Sequence, residues 1–306
     1  VSMKIGIPRA LLYFKNEKFW TTFFDEIGAD YIISPETNRE ILTRGENLSI
    51  DETCLPTKLL IGHVDWLIDK CDYVFVPRVA FWRGYSMCTK FLAQTDLVSN
   101  TFREKAVKLL YYNVYDKKVY RERKAVYKMA KFLHVGRAQR KYAYMMAKQA
   151  QKYYEMFREQ NQMRILEESQ KLKIMLVAHS YNLGDRYVGA PVVETIKSLG
   201  CEPIFAEYFD ESECIGASKA VTTTMPWAYN RHLLGAIELY KDKVDGIVLL
   251  TTFPCGTDSM VNEYIVRHYG DKPIITLTVD SQDGTAGMET RLESFADIIK
   301  MKRERQ

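Results

Sequence analysis

The chain has 306 residues, 47% of them hydrophobic and 27% charged, with 43 Lys and Arg against 39 Asp and Glu for a net charge of +4. That balance fits a globular chain of about two domains and excludes an acidic or low-hydrophobicity disordered chain. No apolar stretch approaches the roughly 18 residues that cross a bilayer, and the N-terminus "VSMKIGIPRA" has no signal-peptide core, so a cytoplasmic protein is expected.

In chain order, "KIGIP" (4–8) is a short apolar strand. "NEKFWTTFFDEIG" (16–28) has an apolar helical face and stops at a Gly, and "DYIIS" (30–34) is a second strand. "TNREILTRG" (37–45) reads as a short helix ending at Gly45, "TKLLIGHVDWLIDK" (57–70) as a longer one, and "DYVFVP" (72–77) as a third strand. Strands alternating with helices imply a parallel sheet covered on both faces.

Residues 101–173 break that pattern. They hold 19 Lys and Arg against 7 Asp and Glu, one Gly (Gly136) and no Pro. The segment reads as two or three long helices with a Tyr/Met/Leu core stripe and a basic solvated face. No nucleic-acid recognition motif accompanies the charge, so no nucleic-acid partner is expected.

From residue 174 the alternation resumes. "KIMLVAHSYNLGDRYVGAPVVETIKSLGCEPIFA" repeats the order of "KIGIPRALLYFKNEKFWTTFFDEIGADYIIS", and "DGIVLLTTFPC" echoes "DYVFVPRVAFW". "PIITLTVD" (273–280) is a further strand before a helix from about Ala286 to Met301. The expected fold is α/β: two Rossmann-like lobes with parallel sheets, 1–100 and 174–306, flanking a basic helical insert at 101–173.

Ligands of open parallel sheets gather outside the carboxyl ends of the strands. Arg78, His179, Cys255 and the group Asp280, Asp283, Gly284 and Thr285 follow strands, and Cys54 and Cys88 occupy loops. The remaining cysteines read differently: Cys71 and Cys201 abut strand starts as buried thiols, and Cys214 falls in an acidic loop. None of the six forms a C-x-x-C pair, which gives no zinc-ribbon or thioredoxin signal. A disulfide framework is not expected in a chain of this size.

In "FPCGTDS" (253–259), Cys255 precedes a helix, where backbone N–H groups favour a thiolate. Gly256 lets the backbone approach a ligand, and Asp258 or Ser259 can cap the helix. Residue pattern alone leaves structural thiol, metal ligand and nucleophile open for Cys255. A nucleotide or nicotinamide site is not supported, because neither G-x-x-x-x-G-K-[ST] nor G-x-G-x-x-G occurs.

Three segments together, "MKIGIPRALLYF…FWTTFFDEIG", "DETCLPTKLLIGHV…DYVFVPR" and "FPCGTDS…TLTVDSQDGTAGMETRLESFADII", resemble acyl-CoA dehydratase activase-related proteins. These belong with 2-hydroxyacyl-CoA dehydratases, benzoyl-CoA-reductase-type subunits and double-cubane cluster proteins. The resemblance implies an iron–sulfur protein of anaerobic metabolism. Cysteines of both lobes would hold the cluster, [4Fe-4S] or double-cubane, with Cys54, Cys88 and Cys255 at the matching positions.

It further implies low-potential electrons received from a separate ATP-hydrolysing activase with its own cluster, for a difficult reduction or dehydration. An acyl-CoA or other small-molecule partner and a homodimer are implied as well. His179, in "AHSYN", matches the family's "GHPYN" and would be a catalytic proton donor or a supporting hydrogen-bond donor near the cluster, with a loop-structuring histidine as the plain alternative; Gly256, Asp258 and Ser259 would lie around it. The chain departs from the family at "MCTKF", "FPCGTDS" and "DSQDGTAG", where the family carries Cys-Pro, "FGCGPDS" and "DEHTGEAG". Two other readings stand beside this one: a non-catalytic scaffold of an activase system, and a thiol enzyme with Cys255 as nucleophile and His179 as base.

Overall fold

The computed structural model describes residues 3–115, 122–281 and 286–304. Asp283, Gly284 and Thr285 lie outside them. The chain divides into two units: Val1–Tyr154 with Pro226–Ala228, and Glu155–Met225 with Tyr229–Gln306.

The first unit contains β1 (Lys4–Ile7), α1 (Leu12–Glu26), β2 (Asp30–Ile33), α2 (Arg39–Asn47), α3 (Leu55–Leu67), β3 (Tyr73–Val79), the hairpin β4 (Phe81–Trp82) and β5 (Tyr85–Ser86), α4 (Thr89–Thr101), β6 (Leu109–Val114) and α5 (Glu122–Phe132). Its parallel sheet has the order β2-β1-β3-β6. The switch in strand order falls between β1 and β3, the place where such sheets open a crevice. The core is aromatic. Trp20 packs edge-on against Phe75 and Tyr112, with ring centroids 4.9 and 4.7 Å apart, and Phe24 against Phe75 at 5.5 Å. Each such ring taken from water stabilises the fold by about 1.5–3 kcal/mol.

Two features of the first unit differ from the sequence reading. Residues 109–114, inside the segment read as helical, form the edge strand β6; "LLYYNV" has the tyrosines and branched apolar residues that suit a pleated surface. Helix α2 does not stop at Gly45 but runs through it to Asn47. Gly45 is there for close packing: a β-carbon on it would strike the Lys58 carbonyl oxygen, and one on Gly62 would strike that of Ile41. Helices α2 and α3 therefore cross with backbones nearly touching.

The long helix α6 (Arg137–Glu168) runs from the first unit into the second. In the first unit its Gln151 repairs a break in α1 at Asn16, whose φ of −117° is not helical. The Gln151 amide accepts from Phe19 N at 3.1 Å and donates to Lys15 O at 2.8 Å. In the second unit Gln162 makes the same two-point clamp on Phe205, at 2.7 and 3.0 Å.

The second unit continues with β7 (Lys173–Val177), α7 (Ser180–Leu183), α8 (Gly189–Ser198), β8 (Glu202–Phe205), α9 (Glu211–Val221), α10 (Ala228–Tyr240, all but its first residue in this unit), β9 (Gly246–Thr252), α11 (Gly256–His268), β10 (Ile274–Val279) and α12 (Ala286–Glu304). Its parallel sheet has the order β10-β9-β7-β8, with the switch between β7 and β9. Val192, Ile196, Val248, Leu250, Phe295 and Ile299 belong to its buried core. Cys214, expected in a loop, is fully buried on α9. A β-carbon on Gly235 of α10 would strike the Cys214 carbonyl oxygen, so α9 and α10 cross as closely as α2 and α3. The two lobes are thus one plan used twice, α/β with parallel sheets, as the repeated strand–helix order implies. No helix among the described residues is long and apolar enough to cross a membrane.

Candidate functional site

Three of the six cysteines occupy one kind of position. Cys54, Cys88 and Cys255 are the N-cap residues of α3, α4 and α11, and none of their side chains caps a backbone N–H. Their backbone carbonyls instead start the helices: Thr57 N donates to Cys54 O at 2.9 Å, Phe91 N to Cys88 O at 3.0 Å and Ser259 N to Cys255 O at 3.1 Å. Each sulfur therefore stands at a helix N-terminus, the positive end of the helix dipole. Hydroxyls stand beside two of them, Thr57 Oγ1 at 3.2 Å from Cys54 Sγ and Thr257 Oγ1 at 3.3 Å from Cys255 Sγ.

Local chemistry puts them there. Pro56 in the first turn of α3 suits a helix start, where its missing N–H is not needed. Cys88 follows a two-residue hairpin turn at Arg83 and Gly84, both with positive φ (48° and 87°), the geometry of a tight hairpin that matches strand twist. Cys255 follows β9, which is buried along its whole length.

The other three cysteines serve packing. Burial pushes the Cys71 thiol up to about 11 and raises the Cys201 and Cys214 thiols as well. Cys71 Sγ donates to Leu67 O at 3.2 Å. All six are thiols, none in a disulfide.

The second unit adds a polar cluster at its sheet switch. His179 follows β7 and Asp258 lies in the first turn of α11, and the structure brings them together: His179 Nε2 is 2.8 Å from Asp258 Oδ1. Asn230 Nδ2 donates to the same oxygen at 3.0 Å, and Thr251 Oγ1 donates to Oδ2 at 3.2 Å. Burial alone would raise the Asp258 carboxyl, but His179, Asn230 and the Cys255 thiol outweigh it and hold it at about 2. An ionised carboxylate only accepts, so Nε2 of His179 carries a proton. Asp258 does not cap α11 as expected; its oxygens are spent on these donors. Ser259 does not cap it either, since its hydroxyl donates to Cys255 O at 2.7 Å. A β-carbon on Gly256 would meet no atom within 4 Å.

Thr251 and Asn230 were missed in the sequence. Thr251 left a signal, as one of two polar residues closing the apolar run "GIVLL"; Asn230, on a helix 28 residues away, left none. Arg78 turns from its strand to α4, where its guanidinium bonds Thr95 Oγ1 and Asp96 Oδ1, so it is engaged within the fold. Asp280 accepts from Ser281 N at 2.6 Å. Among the described residues, no group of three or more His, Cys, Asp or Glu side chains is arranged to hold a metal ion.

Fold and site together define a two-lobed α/β protein with thiols on helix N-caps and a buried carboxylate–imidazole pair at one sheet's carboxyl edge. The chain belongs to the family described as the CoA enzyme activase uncharacterised domain (DUF2229), whose model matches residues 4–209. It is thereby an acyl-CoA dehydratase activase-related protein, as the sequence resemblance implied. No curated protein matches it. Among solved structures, a Zn(II)-bound AdcAII variant of Streptococcus pneumoniae is 13% identical, with 97% of this chain and 99% of that chain covered and a TM-score of 0.28. A sugar transporter from Clostridium phytofermentans is 11% identical over 92% of this chain and 81% of that chain, with a TM-score of 0.21.

Proposed function

We propose that this activase-family protein binds an iron–sulfur cluster through Cys54, Cys88 and Cys255 and takes electrons from an ATP-hydrolysing activase. The observation that carries the reading is the sorting of the cysteines. The three expected as ligands are the three on helix N-caps, while the other three are held protonated by burial. Thiolate is the ligand type of iron–sulfur clusters, so the donors fit in kind. Three thiolates are one fewer than a four-iron cubane takes from protein in its usual form, which leaves one iron for another ligand.

A bound cluster supplies one-electron chemistry at low potential. The chain's own residues supply the rest. The three sulfurs sit at helix N-termini, and the hydroxyls of Thr57 and Thr257 stand beside two of them. His179 holds a proton at Nε2 against Asp258, where it can be delivered to a bound molecule. Loading requires the Cys255 proton to leave, as metal binding to thiols does. The activase, its own cluster, a cytoplasmic setting, an acyl-CoA or other small-molecule acceptor and a homodimer complete the reading.

Anaerobic reconstitution of the full chain tests it, with iron, sulfide and EPR measured together. The expected result is about four iron and four sulfide per chain for a single cubane, and more for a double cubane. Replacing Cys54, Cys88 and Cys255 together by Ser abolishes the loading, while replacing Cys71, Cys201 and Cys214 spares it in the folded fraction. Iron content unchanged in the first triple variant overturns the reading.

A further inference from the structure

The second unit carries a cavity that the cysteine site does not use. It has a volume of about 460 Å³ and lies along the last residues of β10, between the first turn of α8 and the first turns of α12. That size falls within the roughly 300–1,000 Å³ typical of small-molecule sites, and the carboxyl edge of a parallel sheet is where such sites form. Val188, Pro191, Leu277 and Met288 give it apolar walls.

The charges on its lining are of one sign. Arg186 and Arg291 line it, and among the described residues no carboxylate does. Arg291 Nη2 donates to Thr276 O at 2.7 Å, which fixes the side chain and uses one of five guanidinium N–H donors. Among the described residues, Arg186 has only a distant carboxylate, Glu194 at 3.9 Å, and its side chain is 63% exposed. A guanidinium already neutralised by a close ion pair would be a poor anion receptor. Among the described residues no carboxylate so engages either of these, and the planar fork of Arg matches a carboxylate in two-point contact.

We infer that this cavity binds a small organic monocarboxylate, its apolar body against Val188, Pro191, Leu277 and Met288 and its carboxylate on Arg186 and Arg291. The inference does not rest on the iron–sulfur reading, because none of these residues belongs to it. It specifies the ligand by two requirements at once. An apolar body without charge leaves the guanidiniums unused, and an inorganic anion leaves the apolar walls wet.

Calorimetric titration of the full chain, without iron, separates these requirements with three probes: hexanoate, hexanamide and inorganic phosphate. Hexanoate is expected to bind, and hexanamide about tenfold or more weakly, the usual worth of a charge-assisted contact. Phosphate is expected not to compete. Arg186→Ala, at an exposed position, weakens hexanoate by about the same factor, and Met288→Trp fills the cavity and removes binding, with circular dichroism confirming the fold of each variant. Equal affinity for acid and amide overturns the assignment, as does phosphate competing on equal terms. So does no hexanoate binding, or hexanoate binding undiminished in folded Met288→Trp. Where Met288→Trp does not fold, Arg186→Ala decides alone, and unchanged affinity in it is a refutation.

Discussion

Acid should weaken the first unit through His63. Its ring lies on α3 with no solvent exposure, and Nε2 is 3.0 Å from Thr37 Oγ1, just ahead of α2. Nδ1 has no hydrogen-bond partner. The tautomer with hydrogen on Nε2 donates to Thr37 and leaves only a lone pair unmatched, which costs less than an orphaned N–H. Protonation would put an N–H on Nδ1 with nothing to accept it. Burial, and after it the nearby Arg9 charge, lowers the imidazole from 6.5 to about 3.

The sign follows from which state takes the proton first. The unfolded chain binds it near pH 6.5 and the folded chain only near 3, so stability falls as pH drops through that window. At pH 5 the loss from this one group is about 2 kcal/mol relative to pH 7. The assay is urea unfolding of wild type and His63→Gln at pH 7 and pH 5, with exchange-resistant amides of α2 and α3 as the local probe. The stability difference between the two proteins should shift by about 2 kcal/mol toward the variant at pH 5, because Gln carries no titrating group. A difference that does not change with pH refutes the reasoning. An imidazole NMR titration of wild-type His63 with a midpoint near 6 refutes it independently, whatever the variant does.

Three further outcomes are expected. Native-state alkylation at pH 7.5, mapped by mass spectrometry, should label Cys54, Cys88 and Cys255 well before Cys71, Cys201 and Cys214; early labelling of Cys214 in folded protein contradicts the division. Gly62→Ala and Gly235→Ala should each cost about 3 kcal/mol or more by denaturant unfolding, since a methyl at either site meets backbone that cannot step aside; a change below about 1 kcal/mol would show that the helix crossings are loose. Gln151→Ala should cost about 1–3 kcal/mol by leaving Phe19 N–H and Lys15 C=O without their partner, and faster amide exchange at Phe19 is the local sign to look for.

The alternation of strand and helix was legible where a strand is a short apolar run bounded by Pro, Gly or Asp, as in "KIGIP" and "DGIVLLTT". Strand β6 escaped because its flanks are Lys-rich and carry no Gly or Pro, so local composition there argued for helix. Gly45 misled for a related reason: a glycine that ends a helix and one that lets two helices touch look alike until the partner helix is placed. Cys255 as the head of a helix was readable from "PCGTDS". The donors that gather on Asp258 were not, because β7, β9 and α10 meet there only after folding and no spacing in the chain records it.

The repeated plan separates what the fold supplies twice from what each lobe adds. The strand at the sheet switch, β3 in one lobe and β9 in the other, is followed by a helix headed by a cysteine, Cys88 after the β4–β5 hairpin and Cys255 directly. The helix before that strand carries in both cases the glycine that admits its neighbour, Gly62 and Gly235. Cys54 has no such counterpart: α10, the equivalent of α3, begins "AYNRH". The second lobe has instead the pair His179 and Asp258, and Asn230 of that same first turn of α10 is one of its donors. The helix start that carries a second thiol in the first lobe thus carries, in the second, one donor to the Asp258 network. Asn230→Ala should disturb the Asp258 network while leaving Cys255 at the head of α11.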